Sequence, residues 1–270
     1  MRSRTPPEFR AGENNLGNMP VLMDSIVDFF ITGAIKRMRG FGEQHHSMLV
    51  HTNILTPPHR NLAKGIRSFS TLIKSAYMAD NWGSRTPIYD KCKKRWEDQF
   101  NISEDQESEM DKHMKRFLNE FDPATMVRKI NSKPPDSEEL IQSKNKLDYE
   151  DVPGGLKVIA VGGTILSRGL TVEGLTISYF TRETALYDTL TQMSRWCGFH
   201  EGWDDLIRVR ISSRIKDWYE WINEVETALR SDIWRYDSDP EITPLDLAPR
   251  VLAHQKTMPD DTDERVMDPT

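Results

Sequence analysis

Two cysteines, Cys92 and Cys197, stand in a chain of 270 residues. That is too few for a disulfide framework or for a zinc site built on thiolates. No stretch approaches the roughly 18 apolar residues of a membrane-spanning helix. The opening residues Met1-Arg2-Ser3-Arg4-Thr5-Pro6-Pro7 lack the apolar core of a signal peptide. A cytoplasmic protein with no membrane partner is therefore expected. An excess of basic residues is missing too: 36 Lys and Arg against 42 Asp and Glu leave a net charge of -6 and a pI near 5.7. This argues against a wholly basic nucleic-acid coat protein and leaves room for a local basic groove.

Several catalytic signatures are absent as well. No Gly-x-x-x-x-Gly-Lys-Ser/Thr loop is present to cradle nucleotide phosphates, and no Asp-Glu-x-x box follows a strand to hold magnesium. Neither His-Glu-x-x-His nor Gly-x-Ser-x-Gly occurs. A common class of metal-dependent nuclease needs an acid two positions before a lysine, the carboxylate to hold the metal and the ammonium to steady the attacking water. No lysine from Lys36 to Lys256 has one.

What the chain does hold is the material of a globular core: 37% hydrophobic residues, with 7 Trp, 7 Tyr and 10 Phe. The length suits one large domain or a domain with an appendage, and is cramped for two motor domains. Residues 1–20, rich in Pro, Gly, Asn and charge, read as a flexible N-terminal segment. Leu22, Ile26, Phe29, Phe30, Ile35 and Met38 recur at helical spacing before Gly40 and Gly42. Residues 47–52 read as a buried strand. Three amphipathic helices follow over 59–121, a longer crossover than an α/β unit needs, so this block reads as an insertion. Residues 126–131 suggest a strand and 132–151 a polar loop. Residues 156–161 and 175–180 read as strands, 186–196 as a helix, 206–211 as a strand carrying Arg208 and Arg210, and 214–233 as a helix. Strands alternating with crossovers imply a doubly wound α/β sheet. From Pro240 the chain reads as a solvated tail or linker, 236–270, ending in an acidic run.

Chemistry concentrates in two segments. In Val161-Gly162-Gly163-Thr164-Ile165-Leu166-Ser167-Arg168-Gly169-Leu170-Thr171-Val172-Glu173-Gly174-Leu175, small and hydroxyl residues follow a buried strand. That puts backbone amides and Thr164 at the carboxyl edge of the sheet, where α/β proteins bind ligands. Gly169 lets the main chain approach a ligand closely, and Thr171 and Glu173 offer oxygens to a ribose or a bound water. In Gln192-Met193-Ser194-Arg195-Trp196-Cys197-Gly198-Phe199, Gln192 and Arg195 share one helical face before a glycine stop. Such an arginine can reach a γ-phosphate held by a neighbouring domain; it can equally pair with Glu183 or Asp188.

Arg168-Gly169-Leu170 followed by Gln192 resembles motifs V and VI in the second RecA-like domain of superfamily-two helicases. Leu166 to Thr171, Tyr179-Phe180, Tyr187-Asp188 and Gln192 to Phe199 more closely resemble the Z-one family of DEAD-type, helicase-like ATPases of bacterial restriction and defence systems. The likeness spans about residues 20–235. It implies a RecA-like parallel sheet flanked by helices, with a helical insertion and a helical C-terminal extension, the domain running over 21–235. It further implies the C-terminal half of an ATP-dependent DNA translocase. Arg195 would be the arginine finger with Gln192 beside it, Arg168, Gly169, Thr171 and Glu173 would meet nucleotide, and His51, Thr52, Asn53, Gly163 and Thr164 would meet the DNA backbone. ATP and magnesium would be bound mainly by an N-terminal RecA-like domain of the same full-length protein, with double-stranded DNA and a restriction nuclease subunit as further partners. The chain departs from the superfamily in carrying Thr171 where an Asp is usual, with Glu173 as a substitute, and in having a single motif VI arginine. The other reading is a degenerate RecA-like module that docks a nuclease or specificity subunit.

Other candidates are weaker. Trp218, Trp221 and Trp234, at helical spacings, read as core or interface. His45-His46 reads as a surface loop, a metal pair only if further ligands join it. Lys91, Lys93, Lys94 and Arg95 read as a solvated helix face, or as a phosphate site.

Overall fold

The computed structural model describes residues 16, 19–52, 56–78, 86–130, 147–150, 152–162, 172–181, 190–191 and 200–238. The chain divides into two compact units. One comprises Arg4–Arg182 with Trp196–Arg210, the other Met1–Ser3, Glu183–Arg195 and Ile211–Thr270.

The larger unit is built on a sheet whose strands are β1 (His46–His51), β2 (Val127–Ile130), β3 (Lys157–Gly162), β4 (Leu175–Phe180) and β5 (Arg208–Ile211), in the order β2-β3-β1-β4-β5. β1 pairs in parallel with both β3 and β4, and β2 pairs in parallel with β3. Every residue of β1, β3 and β4 is buried, as expected of central parallel strands covered on both faces. The near-continuous apolar runs at 47–52, 156–161 and 175–180 record that position directly.

Helices α1 (Pro20–Met38), α2 (Thr56–Met78), α3 (Pro87–Phe100) and α4 (Glu107–Glu120) share one core with one face of the sheet. Met48, Val50, Ile159, Val161, Ile177 and Tyr179 point into it from the strands. Ile66, Ile73, Trp96, Met114, Phe117 and Phe121 enter it from the helices and their ends. The helices of the block read as an insertion, 59–121, pack in the layer that covers this face of the sheet. α1 is buried along most of its length, so it carries apolar residues nearly all round. Its Gly33 lies where a Cβ would collide with the Phe117 ring, which lets α4 approach closely. Leu49, Val158, Ala160 and Leu175 face the other side, against Ile130, Leu147, Leu156 and Val172. No helix among the described residues is long and apolar enough to cross a membrane.

Local signals set the helix ends. Pro20 opens α1, and Thr86 caps α3, its hydroxyl accepting from the Tyr89 amide at 3.2 Å. Asn101, in the left-handed region at φ 53, closes α3. A short helix, α5 (Pro123–Met126), starts on Asp122 and takes Met126 out of the predicted strand. Likewise Leu206 belongs to a 3-10 turn, so β5 begins at Arg208. In the smaller unit, α6 (Ser213–Ser238) extends the predicted helix at its C-terminal end. Its Tyr219 hydroxyl donates to the Leu190 carbonyl at 2.9 Å.

Candidate functional site

The chain leaving β1 continues toward β2 on one side of the sheet, whereas the chain leaving β4 continues toward β5 on the other. The carboxyl ends of β1 and β4 thus flank a reversal of winding, the place where open α/β sheets bind ligands. His51, the last residue of β1, is in register with Gly162 of β3 and Phe180 of β4. The Thr52 amide donates to the Gly162 carbonyl at 3.4 Å, and the Thr181 amide to the His51 carbonyl at 3.0 Å. Those bonds draw the three strand ends together.

Two predicted DNA-contact residues lie at this edge with different characters. His51 is fully buried, its ring stacked on Phe180 with centroids 5.1 Å apart, so it packs the edge more than it presents itself to a ligand. Thr52 is 1% exposed, and its hydroxyl has no hydrogen-bond partner among the described residues. A buried hydroxyl left unpaired costs about 1–3 kcal/mol, which marks where a polar ligand atom would be welcome.

Glu173 lies elsewhere. Its carbonyl accepts from the Ser47 hydroxyl at 2.7 Å and its carboxylate approaches His45 Nε2 at 3.5 Å, both at the amino end of β1. The six residues of that strand put about 16 Å between the two edges. Glu173 therefore does not join His51 and Thr52. Asn53, Gly163, Thr164, Arg168, Gly169, Thr171, Gln192 and Arg195 lie outside the described residues.

Three sequence expectations change on structural grounds. His45-His46 is no surface loop: His46 is buried in β1, its Nε2 2.9 Å from the Phe29 carbonyl and its ring beside Phe29. Burial, then the Lys36 charge, holds its pKa well below the usual histidine value. The basic cluster on α3 is mostly consumed internally. Lys91 pairs with Asp24 at 2.6 Å, Lys93 with Glu107 at 2.6 Å, and Arg95 grips Asp28 through two bonds of 2.7 Å. It cannot serve phosphate without breaking those pairs. On α6, Trp221 and Trp234 are 37% and 72% exposed, which removes the core half of the core-or-interface expectation.

Two arrangements were missed. Asp28, fully buried on α1, also accepts from Arg210 of β5 at 3.1 Å, so one carboxylate ties α1, α3 and β5 together. The signal was present as a single acid inside Val27-Asp28-Phe29-Phe30-Ile31. The second is an ammonium-rich corner at the amino edge, around Lys36, Lys157 and Trp203. Lys157 Nζ donates to the carbonyls of Gly42, Gly155 and Gly154, the first two at 2.9 and 3.1 Å. Among the described residues no group of three or more His, Cys, Asp or Glu converges as a metal site. Cys92 is buried, and desolvation pushes its thiol up to about 12, so it is a packing residue and not a nucleophile.

The parallel sheet flanked by helices defines an α/β protein of a kind consistent with a RecA-like arrangement. The chain belongs to the Z1 domain family, whose family model matches residues 21–258. No curated protein and no solved structure matches it.

Proposed function

We propose that this chain is the second RecA-like half of an ATP-dependent, helicase-like DNA translocase of a restriction or defence system. The observation that carries the reading is the carboxyl edge of the sheet. There a reversal of winding coincides with a buried Thr52 hydroxyl that lacks a partner among the described residues. In sequence, the segments that carry Arg168, Gly169, Thr171, Gln192 and Arg195 directly follow β3 and β4. Membership of the Z1 family supports the same reading.

In this proposal Thr52 and the Gly163-Thr164 turn hold a DNA strand. Arg195 completes the charge stabilisation of a γ-phosphate presented by an N-terminal RecA-like domain, with Gln192 positioning it. ATP and magnesium are held mainly on that partner domain, which would carry the phosphate loop that this sequence does not contain. Magnesium, when bound there, would neutralise phosphate charge. Hydrolysis would open and close the cleft between the two halves and step the motor along DNA.

Replacing Arg195 with Ala in the intact protein tests the assignment. ATPase activity should fall by about 10³-fold or more while assembly with the nuclease subunit is retained. Thr52→Val should weaken DNA binding and leave folding intact, and unchanged DNA affinity would remove Thr52 from the contact surface. The pure 270-residue chain should hydrolyse no ATP, because no phosphate loop is present in it; measurable turnover would sink the reading.

A second reading, a docking module for a nuclease or specificity subunit, is favoured by Trp221, Ile233 and Trp234, which stand exposed on α6. Lost assembly with unchanged ATPase in the Arg195 variant would decide for it.

A further inference from the structure

Lys36 lies at the end of α1 with 1% of its surface exposed. Its ammonium donates to the His45 carbonyl at 2.9 Å and sits 3.8 Å from the centroid of the Trp203 ring. No carboxylate among the described residues pairs with it. The one charge that presses on it is Lys157 of β3, itself under the influence of Glu120 and Glu43, and the imidazoles of His46 on β1 and His200 on the covering turn stand beside it. Arg37 pairs with Glu120 of α4, and Asp205 of the turn is engaged by Arg39.

The cover is a short turn, residues 200–206, which begins directly after Phe199. Trp203 is its plug. The His200 ring lies parallel to the indole at 4.1 Å, and Trp203 Nε1 donates to Gln44 Oε1 at 3.2 Å. Arg39 clasps the turn from α1, donating to both Asp205 oxygens at 2.6 and 2.8 Å and to the Gly202 carbonyl at 3.2 Å. Gly202, at φ +86, allows the turn to sit flat, since a Cβ there would meet Phe41 Cζ at 2.5 Å. The clasp fixes one side of the turn, and the plug rests on a buried amine without a counter-ion.

We propose that the turn 200–206 is a proton-sensitive latch, in which Trp203 covers the buried, carboxylate-free amine of Lys36 and lifts more readily when that amine carries a proton that needs water.

The physical reason is solvation. A buried ammonium beside Lys157 loses its hydration without an ion partner, and the attraction to one indole face restores only part of that loss. Lifting the turn returns water to it. Burial first, and the Lys157 charge second, bring the amine down to about 7 with the turn closed, against an ordinary 10.4 or so in water. The open form thus holds the extra proton between those values, so opening becomes harder as pH rises above about 7 and is insensitive to Lys36 below it. His200, lowered by burial and then by Lys36, acts in the same direction: its protonation at acid pH adds a further cation beneath the turn. The latch does not depend on the nucleotide reading. It bears on it only because the arginine-bearing segment ends at Phe199.

Hydrogen exchange in the full chain tests the latch, read as protection factors corrected for intrinsic rates. The amides of Trp203, Leu206 and Ile207 bond to the carbonyls of His200, Trp203 and Asp204 at 3.4, 3.0 and 3.2 Å, so they report the closed turn. Their protection should rise with pH above about 7 by up to about tenfold per unit. It should also stay well below that of the β1 amides, since opening is local. Lys36→Met should make it high and flat above about pH 7, leaving only the acid-side loss that belongs to His200. His200→Gln should abolish only the extra loss below about pH 6. Flat protection across pH in the unaltered chain, or exchange of the turn only together with β1, would overturn the proposal even if the Lys36 variant does not fold.

Discussion

His46 shows how one residue couples this fold to pH. In the folded chain it is neutral, wedged between Phe29 and Phe117 with its Nδ1 3.1 Å from the Thr176 hydroxyl. Because its folded pKa lies below the unfolded one, the unfolded chain binds the extra proton as pH falls through the ordinary histidine value of about 6.5. Stability is complete above that value and is lost below it, at no more than about 1.4 kcal/mol per pH unit. Urea midpoints at pH 7 and pH 5 should therefore differ, and His46→Gln should flatten the difference while lowering stability at pH 7. A residue read as part of a histidine pair at a loop is a core residue, because β1 begins at His46 and the two-residue period of a strand puts its ring on the face of Met48 and Val50.

Among the elements, α1 is the keystone and Asp28 is its fastening. Removing the carboxylate leaves the Arg95 and Arg210 guanidinium groups, which are 16% and 30% exposed at the side chain, without their shared partner. Breaking a buried pair costs about 3 kcal/mol or more. Asp28→Asn should show this as a reduced urea midpoint with an unchanged slope, and a loss under about 1 kcal/mol would mean that water replaces the carboxylate. The tryptophans divide by the same logic of burial. Trp96→Ala, in the core at 0% exposure, should cost about 3–5 kcal/mol. Trp234→Ala, at 72% exposure, should change stability by no more than about 0.5 kcal/mol; any marked effect of that variant should appear in association and not in folding.

For the whole molecule, the helices between β1 and β2 are structural. Deleting 59–121 should strip the cover from Met48, Val50, Ile159 and Ile177 and yield a collapsed or aggregated chain, visible as lost near-ultraviolet circular dichroism. A soluble, cooperatively unfolding deletion variant would show that this block is dispensable for folding. Much of this scale was legible in advance. β1, β3 and β4, α1 to α4 and the parallel sheet follow from apolar runs and helical periods, which are local properties of consecutive residues. The carboxyl edge was legible too, since a strand's end is also where its apolar run ends, and this led to His51 and Thr52.

What the sequence determined by itself is therefore most of the described elements and the edge at which ligands are expected. It also supplied the resemblance that the family assignment bears out. Only the tertiary structure decided which charges are spent inside the molecule. Lys91, Lys93 and Arg95 meet Asp24, Glu107 and Asp28, and Lys36 meets Trp203, across separations that no periodicity spans. It also placed Glu173, read as a nucleotide contact, a full length of β1 away from Thr52, read as a DNA contact. Periodicity reports which face of an element is buried. Ion pairing depends on which elements become neighbours, and that is fixed only when the whole core closes.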